Sequence, residues 1–258
     1  MLGFVLAFFV GVTLGLLGGG GSILTLPILV YFMGVEPSKA TAYSLFIVGV
    51  SALIATQRFY VKKLIDFKVG LFFAIPSFVG VYIVRKWVVP IIPDPFFSIA
   101  NLEVSKDLFL LLFFAIIMLG SGFSMLFSKR KNKSFLKKIN YYLILVDGLF
   151  VGAITGLVGA GGGFLIVPAL VLLAGLDIKK AIGTSLLIIS FKSLLGFTGD
   201  LGAEMDWNLL LVFTSTSCVG IYFGIYISKF IKPKSIKKYF GVFVVLIAFV
   251  IILKEVLW

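Results

Sequence analysis

Long apolar segments constrain this chain more than any other feature of its sequence. Most of them are apolar on every side for about 17–21 residues, close to the 20 helical residues that cross a bilayer. Strands of a membrane barrel would instead alternate apolar and polar residues. The segments are 1–17, 22–33, 40–57, 67–84, 108–128, 141–158, 164–174, 181–198, 208–228 and 239–257.

Composition agrees with a membrane protein of helices. Of the 258 residues, 60% are hydrophobic and 13% are charged, and the mean hydropathy is +1.17. A soluble domain of this length would need more charge on its surface. The net charge of +12 does not indicate nucleic-acid binding, because the basic residues form short clusters between apolar segments, where they set membrane orientation.

Two of the apolar segments, 22–33 and 164–174, are too short to span a bilayer, and each follows a run of glycines. Unwound backbone at membrane depth is tolerated where protein or a wet cavity covers it. We therefore predict two broken or re-entrant hairpins, each with its glycines near the turn.

The chain also contains an internal repeat. Residues 11–59 align without gaps to 152–200, so that GLLGGGGSILTLP at 15–27 lies over GLVGAGGGFLIVP at 156–168. Apolar composition alone would not align glycines and prolines in this way. The repeat predicts an all-α protein of two halves, each with one glycine hairpin and three spanning helices.

Basic residues predict how the halves are oriented. If 129–138 is cytoplasmic and each hairpin enters and leaves on one side, four cytoplasmic stretches hold most of the 23 basic residues, and the outer side holds most of the 11 acidic ones. Both termini are then outside, and the halves form an inverted-topology repeat, as in secondary transporters. The predicted units are a first repeat at 1–128, a basic cytoplasmic linker at 129–140 and a second repeat at 141–258.

Glycine runs that lead into helices predict an anion site. They offer free backbone N–H groups at the positive end of a helix dipole, near the midplane where the repeats meet. The alternative role is turn formation and close packing of helices. The candidate substrate-binding residues are Gly18, Gly19, Gly20, Gly21, Ser22, Ser44, Gly159, Gly161, Gly162, Gly163, Thr184, Ser185 and Lys192.

Two charged residues lie inside predicted spans. Lys192 either attracts the anion or extends to the outer interface toward Asp200 and Glu204. Asp147 either relays a proton or pairs with a lysine of the cytoplasmic face.

Enzyme chemistry and cofactors are not expected. The sequence contains no histidine and a single cysteine, Cys218, and it lacks the paired carboxylates, serine–histidine pair or metal ligands that an intramembrane enzyme needs. We predict no cofactor and no metal.

Both halves resemble the sulfite exporter TauE/SafE family. The resemblance lies in the two glycine motifs, in ATAYSL at 40–45 and AIGTSL at 181–186, and in the Asp-aromatic pairs at 66–67 and 206–207. It implies transport of sulfite, organosulfonates or related sulfur oxyanions.

Together these observations predict a multi-pass transporter of the cell (inner) membrane that carries a small anion by alternating access. The alternative is a passive anion channel that uses the same site. The partners expected are the anion and the lipid bilayer. A homo-oligomer and coupling to a proton or another ion are both compatible with this interpretation.

Overall fold

A computed structural model describes residues 2–99, 102–127, 141–202, 204–228, 230 and 233–257; the predicted linker at 129–140 lies outside the described residues. Its helices are α1 (Leu2–Leu17), α2 (Thr25–Met33), α3 (Pro37–Val61), α4 (Phe67–Ile83), α5 (Val89–Ile91), α6 (Lys106–Phe127), α7 (Tyr141–Val158), α8 (Gly163–Leu173), α9 (Ile178–Phe197), α10 (Trp207–Ile227) and α11 (Pro233–Leu257).

Within the described residues, seven segments are long and apolar enough to cross a membrane, which confirms a multi-pass helical protein. They are Gly3–Met33, Pro37–Val61, Phe67–Ile91, Lys106–Ser124, Tyr141–Val158, Ile178–Asp200 and Trp207–Ile227.

Two features of the first half were not predicted from the sequence. A π-helical turn, Val84–Val88, joins α4 to α5. A short antiparallel pair of strands, β1 (Phe97–Ile99) and β2 (Leu102–Val104), lies before α6. The apolar pattern gives no signal for either, because three-residue strands and one-turn π-bulges are shorter than any hydrophobic period.

Glycines bring the helices of the two halves close together in matched pairs. In the α1–α10 pair, Gly11 lies against the backbone carbonyl of Ser217; in the α4–α7 pair, Gly152 lies against that of Ser77. Gly11 and Gly152 are equivalent positions of the repeat. A methyl group at either glycine would overlap the opposing backbone, so these helices can approach only through glycine.

A second matched pair of glycine contacts joins the same helices. Gly80 on α4 faces the backbone of α7 at Leu149, and its repeat equivalent Gly220 faces α1 at Phe8. Glycines that are equivalent in the sequence alignment therefore make matching contacts between different helices.

The central helices are α3 and α9, which pack against each other. In each of these two helices, 72% of the most apolar 18-residue stretch is buried inside the protein, against 39–50% in the other five segments. The outer helices turn large apolar side chains outward, as a surface solvated by lipid requires.

Asp66 and Asp206 begin α4 and α10 in the same way. Each carboxylate oxygen accepts a 3.0 Å hydrogen bond from the backbone N–H three residues later. This is the N-cap bond that satisfies one of the free donors of a helix start. The Asp-aromatic pairs of the sequence are thus structural caps.

Contacts between helix ends place the start of α1 beside the end of α2. Gly3, at the start of α1, lies against the side chain of Met33, at the end of α2. At the same end of the molecule the N–H of Ser38 at the start of α3 donates to Asp107 at the start of α6. The start of α1 and the end of α2 therefore lie next to each other.

Candidate functional site

The two glycine segments meet in the interior. An added Cβ at Gly19 would lie 2.6 Å from Cα of Gly163, and one at Gly161 would lie 3.2 Å from Oγ of Ser22. All four residues are buried. Gly19 and Gly163 meet backbone to backbone, so glycine is required on both sides of that contact.

The segments differ in conformation. Gly18–Leu24 forms a 3₁₀ helix that leads directly into α2. The second segment is an open turn in which Gly159, Gly161 and Gly162 all have positive φ (69°, 28° and 71°). Residues with a side chain rarely adopt this conformation, so the second turn depends on its glycines.

Lys192 lies beside the second turn. Its side chain is 0% exposed, and its ammonium donates a 2.6 Å hydrogen bond to Oγ1 of Thr155. An added Cβ at Gly162 would lie 2.9 Å from Nζ. The ion pairs within the described residues are Glu36–Lys39 and Arg85–Asp200. Among those residues, therefore, no carboxylate lies within 4.0 Å of the Lys192 ammonium.

Gly162 is the N-cap of α8. In the turn, the backbone hydrogen bonds are donated by Gly159, Gly162, Leu165 and Ile166. Helix geometry leaves the N–H groups of Gly163 and Phe164, the first two residues of α8, without intrahelical acceptors. The positive end of the α8 dipole and the ammonium of Lys192 therefore lie next to each other.

The remaining glycines take distinct positions. Gly18 lies against Ile182, and its repeat equivalent Gly159 lies against Thr41. Gly20 has Leu17 as its neighbour, and Gly21 faces the backbone of α1 at Thr13 and Leu14.

The hydroxyl candidates separate into three groups. Ser22 and Ser185 donate to carbonyls three residues earlier, at 2.7 Å and 2.8 Å. Thr184 accepts a 2.9 Å bond from the N–H of Asp66. Ser44 is buried and its Oγ has no hydrogen-bond partner within the described residues.

Neither Asp200 nor Asp147 pairs with Lys192. The carboxylate of Asp200 accepts a 2.7 Å bond from Nε of Arg85 instead. Asp147 has one buried oxygen without a partner in the described residues and borders a cavity of about 290 Å³ between α7 and α8. The suggestion that Lys192 extends to Asp200 at the interface is therefore wrong.

Sequence reasoning missed two residues of this region, Thr155 and Arg85. Thr155 lies among the glycines of α7, one residue before Gly156, where a polar side chain in a packing face could have been noticed. Arg85 lies near the end of an apolar segment, beside Lys86, so that it resembles an interfacial residue. Only the fold brings it inside.

Helices of membrane-spanning length that surround two contacting glycine turns and a buried cation define a polytopic protein of the transporter class. The chain belongs to the sulfite exporter TauE/SafE family, whose family model matches residues 3–251. It is a multi-pass membrane transporter of that family.

Curated relatives have names of the same class. Two proteins named "Probable membrane transporter protein" from Xylella fastidiosa are 29% and 27% identical to this chain, and each alignment covers 94% of this chain and 91% of the relative. "Probable membrane transporter protein YunE" of Bacillus subtilis is 34% identical over 45% of each chain. No solved structure matches the chain.

Proposed function

We propose that this protein carries a small anion across the membrane, and that the anion binds between the second glycine turn and Lys192. The observation that carries the proposal is the buried ammonium of Lys192 beside the N-terminus of α8, without a carboxylate among the described residues near it. Two positive groups in a dry interior repel each other and cost several kcal/mol unless a negative charge joins them. A bound anion would supply that charge.

The donors around this place suit an oxyanion. An ammonium has three N–H groups, and Thr155 takes one of them. Free backbone N–H groups at the start of α8 and the ammonium would together surround a sulfite, sulfonate or carboxylate group. Sulfur oxyanions come first among these because the chain belongs to the sulfite exporter TauE/SafE family.

Alternating access is the mechanism that we favour. Gly11 and its repeat equivalent Gly152 make matching helix contacts, as do Gly80 and Gly220, and this correspondence supports two inverted repeats, each with a re-entrant hairpin. Lys192 is fully enclosed, as the site of a carrier is between its open states, whereas a channel needs a continuous pathway when it conducts. Rocking of one half against the other would expose the site to each side in turn.

Binding is tested on the purified protein in detergent with sulfite, sulfate, thiosulfate, sulfoacetate, acetate and chloride. A ligand that binds the folded state raises its thermal midpoint. We expect at least one sulfur oxyanion or sulfonate to do so. Lys192→Met, which keeps the side-chain length and removes the charge, should abolish the shift.

The matched control is Lys180→Met, an exposed lysine of the same helix, which should leave the shift unchanged. Equal shifts in Lys192→Met and the wild type would refute the site. Counterflow in proteoliposomes then separates the mechanisms: a carrier exchanges labelled for unlabelled anion and saturates, and a channel shows neither.

A further inference from the structure

A second buried cation lies between the glycine turn and one face of the protein. The guanidinium of Arg85 is 1% exposed and its Nε donates a 2.7 Å hydrogen bond to Oδ2 of Asp200, whose side chain is 14% exposed. Its Nη1 donates another 2.7 Å bond to Oγ1 of Thr41. Arg85, in the turn after α4, is thus bonded to the start of α3 and to the residues that follow α9.

A single residue, Thr41, lies between this cluster and the second glycine turn. Thr41, which accepts from Arg85, also lies against Gly159, the first glycine of the second segment. Gly159 and Gly162, the neighbour of Lys192, belong to the same turn. Contacts from Arg85 through Thr41 therefore connect this cluster to the turn beside Lys192.

The equivalent positions in the other half are apolar. The repeat places Ile182 where Thr41 lies and Phe59 where Asp200 lies, and Gly18 touches Ile182 as Gly159 touches Thr41. A salt bridge is not needed to close the structure at that face. The charged cluster is therefore a property of one face, and packing symmetry does not explain it.

Stability does not explain it either. Burying an ion pair often costs as much in desolvation as it gains, and apolar side chains of similar size are commonly as stable. Arg85 also lies in the π-helical turn Val84–Val88, and such turns are frequent at functional sites.

We propose that Arg85 is an access site for the transported oxyanion, and that Asp200 occupies it as an internal carboxylate in this closed conformation. An entering oxyanion would replace the Asp200 carboxylate on the guanidinium, whose planar donors fit either group. Loss of the Arg85–Asp200 bond would remove the ion pair that joins the ends of α4 and α9 and would loosen that face. This inference rests on the proposed anion transport, but its site is separate from Lys192.

The test removes the internal carboxylate and measures anion binding. Asp200→Ala leaves Arg85 buried and unpaired, so acetate or sulfite should stabilise this variant at a concentration about tenfold lower than the wild type needs, which corresponds to about 1.4 kcal/mol. The gain should vanish in Arg85→Gln combined with Asp200→Ala. Glu36→Ala is the matched control, since Glu36 forms an exposed pair with Lys39 at the start of α3, and it should behave as the wild type.

The combination of Asp200→Ala with Lys192→Met distinguishes the two sites. If Arg85 binds the anion, this double variant is still stabilised by acetate or sulfite, although Lys192→Met alone is not. Equal half-saturating concentrations in Asp200→Ala and the wild type would overturn the access site, whatever Lys192→Met shows. Retained stabilisation in Lys192→Met alone would instead refute the proposed function.

Flux provides the second readout for a variant that folds poorly. Arg85→Lys keeps the charge and loses the planar fork, so we expect a raised KM for sulfite uptake into proteoliposomes and little change in the thermal midpoint. Lys39→Gln, on the exposed pair, should change neither. An unchanged KM in Arg85→Lys would reduce the cluster to a structural clamp.

Discussion

Lys192 and Thr155 form a 2.6 Å hydrogen bond that joins α9 to α7 in a fully buried place. Oγ1 of Thr155 in turn donates to the carbonyl of Gly152 at 3.1 Å, so the hydroxyl is oriented with a lone pair toward the ammonium. The bond fixes the ammonium that lies at the start of α8. The hydrogen bond orients the Lys192 side chain, but no carboxylate in the described part of the chain pairs with its charge.

Removing the hydroxyl should therefore expose the cost of that charge. Thr155→Val keeps the shape of the side chain and leaves the Lys192 ammonium without its acceptor. We expect the anion-free protein to lose about 1–3 kcal/mol of unfolding free energy. An anion that binds Lys192 should restore part of the loss. Unfolding in detergent, with and without the anion, measures both effects.

The control is Thr216→Val on α10, whose hydroxyl donates to the carbonyl of Val212. That variant should change the unfolding free energy by a few tenths of a kcal/mol, because its environment is exposed. If Thr155→Val were equally neutral, the bond to Lys192 would carry no stability and the ammonium would not need an acceptor.

Contact between the glycine segments gives the second prediction. Gly163→Ala would place a methyl group into the backbone of Gly19, where no side chain can yield. Overpacking of this kind costs about 1–3 kcal/mol and displaces backbone. We expect a lower thermal midpoint together with weaker anion binding, because the displaced turn carries the start of α8.

Gly120→Ala is the matched helix variant, since an added Cβ there meets nothing within 4 Å. It should be neutral or stabilising by up to about 1 kcal/mol, the propensity difference between the two residues. A thermal midpoint for Gly163→Ala as high as that of Gly120→Ala would contradict the close approach of the two segments.

The caps of α4 and α10 allow a third prediction. Asp66→Ala and Asp206→Ala each remove an acceptor from a helix start and should cost about 0.5–2 kcal/mol, whereas Asp66→Asn and Asp206→Asn should cost less, because asparagine caps nearly as well. Thermal midpoints rank the four variants. Transport that stays normal in the folded alanine variants would agree with a purely structural role for this part of the family motif.

The sequence predicts the helices well because their signal is local. Apolar segments such as 67–84 and 141–158 nearly coincide with α4 and α7, and the glycine runs mark the breaks between α1 and α2 and between α7 and α8. What hydropathy could not predict depends on contacts distant in the chain. Thr184 matches the family motif yet holds the backbone of Asp66, and Arg85 resembles an interfacial residue until α3 and α9 enclose it.

Membrane orientation is the last prediction, and it follows from charge together with the fold. Lys62 lies just after α3 and Gly202 just after the end of α9, and both are exposed. Helix-end contacts place them at opposite ends of the molecule, since Asp200 neighbours the start of α3 through Arg85 and Thr41. Basic clusters favour the cytoplasm, so Lys62 should be inside and Gly202 outside.

Single cysteines test this orientation in intact cells. In a Cys218→Ser background, a membrane-impermeant maleimide should label Gly202→Cys at once and Lys62→Cys only after the membrane is made permeable. An added Cβ at Gly202 meets nothing within 4 Å, so the probe site should not disturb the fold. The reverse labelling pattern would show that the protein has the opposite orientation, with the Arg85 access site on the cytoplasmic side. Labelling of both positions from outside would contradict the placement of the two helix ends on opposite faces.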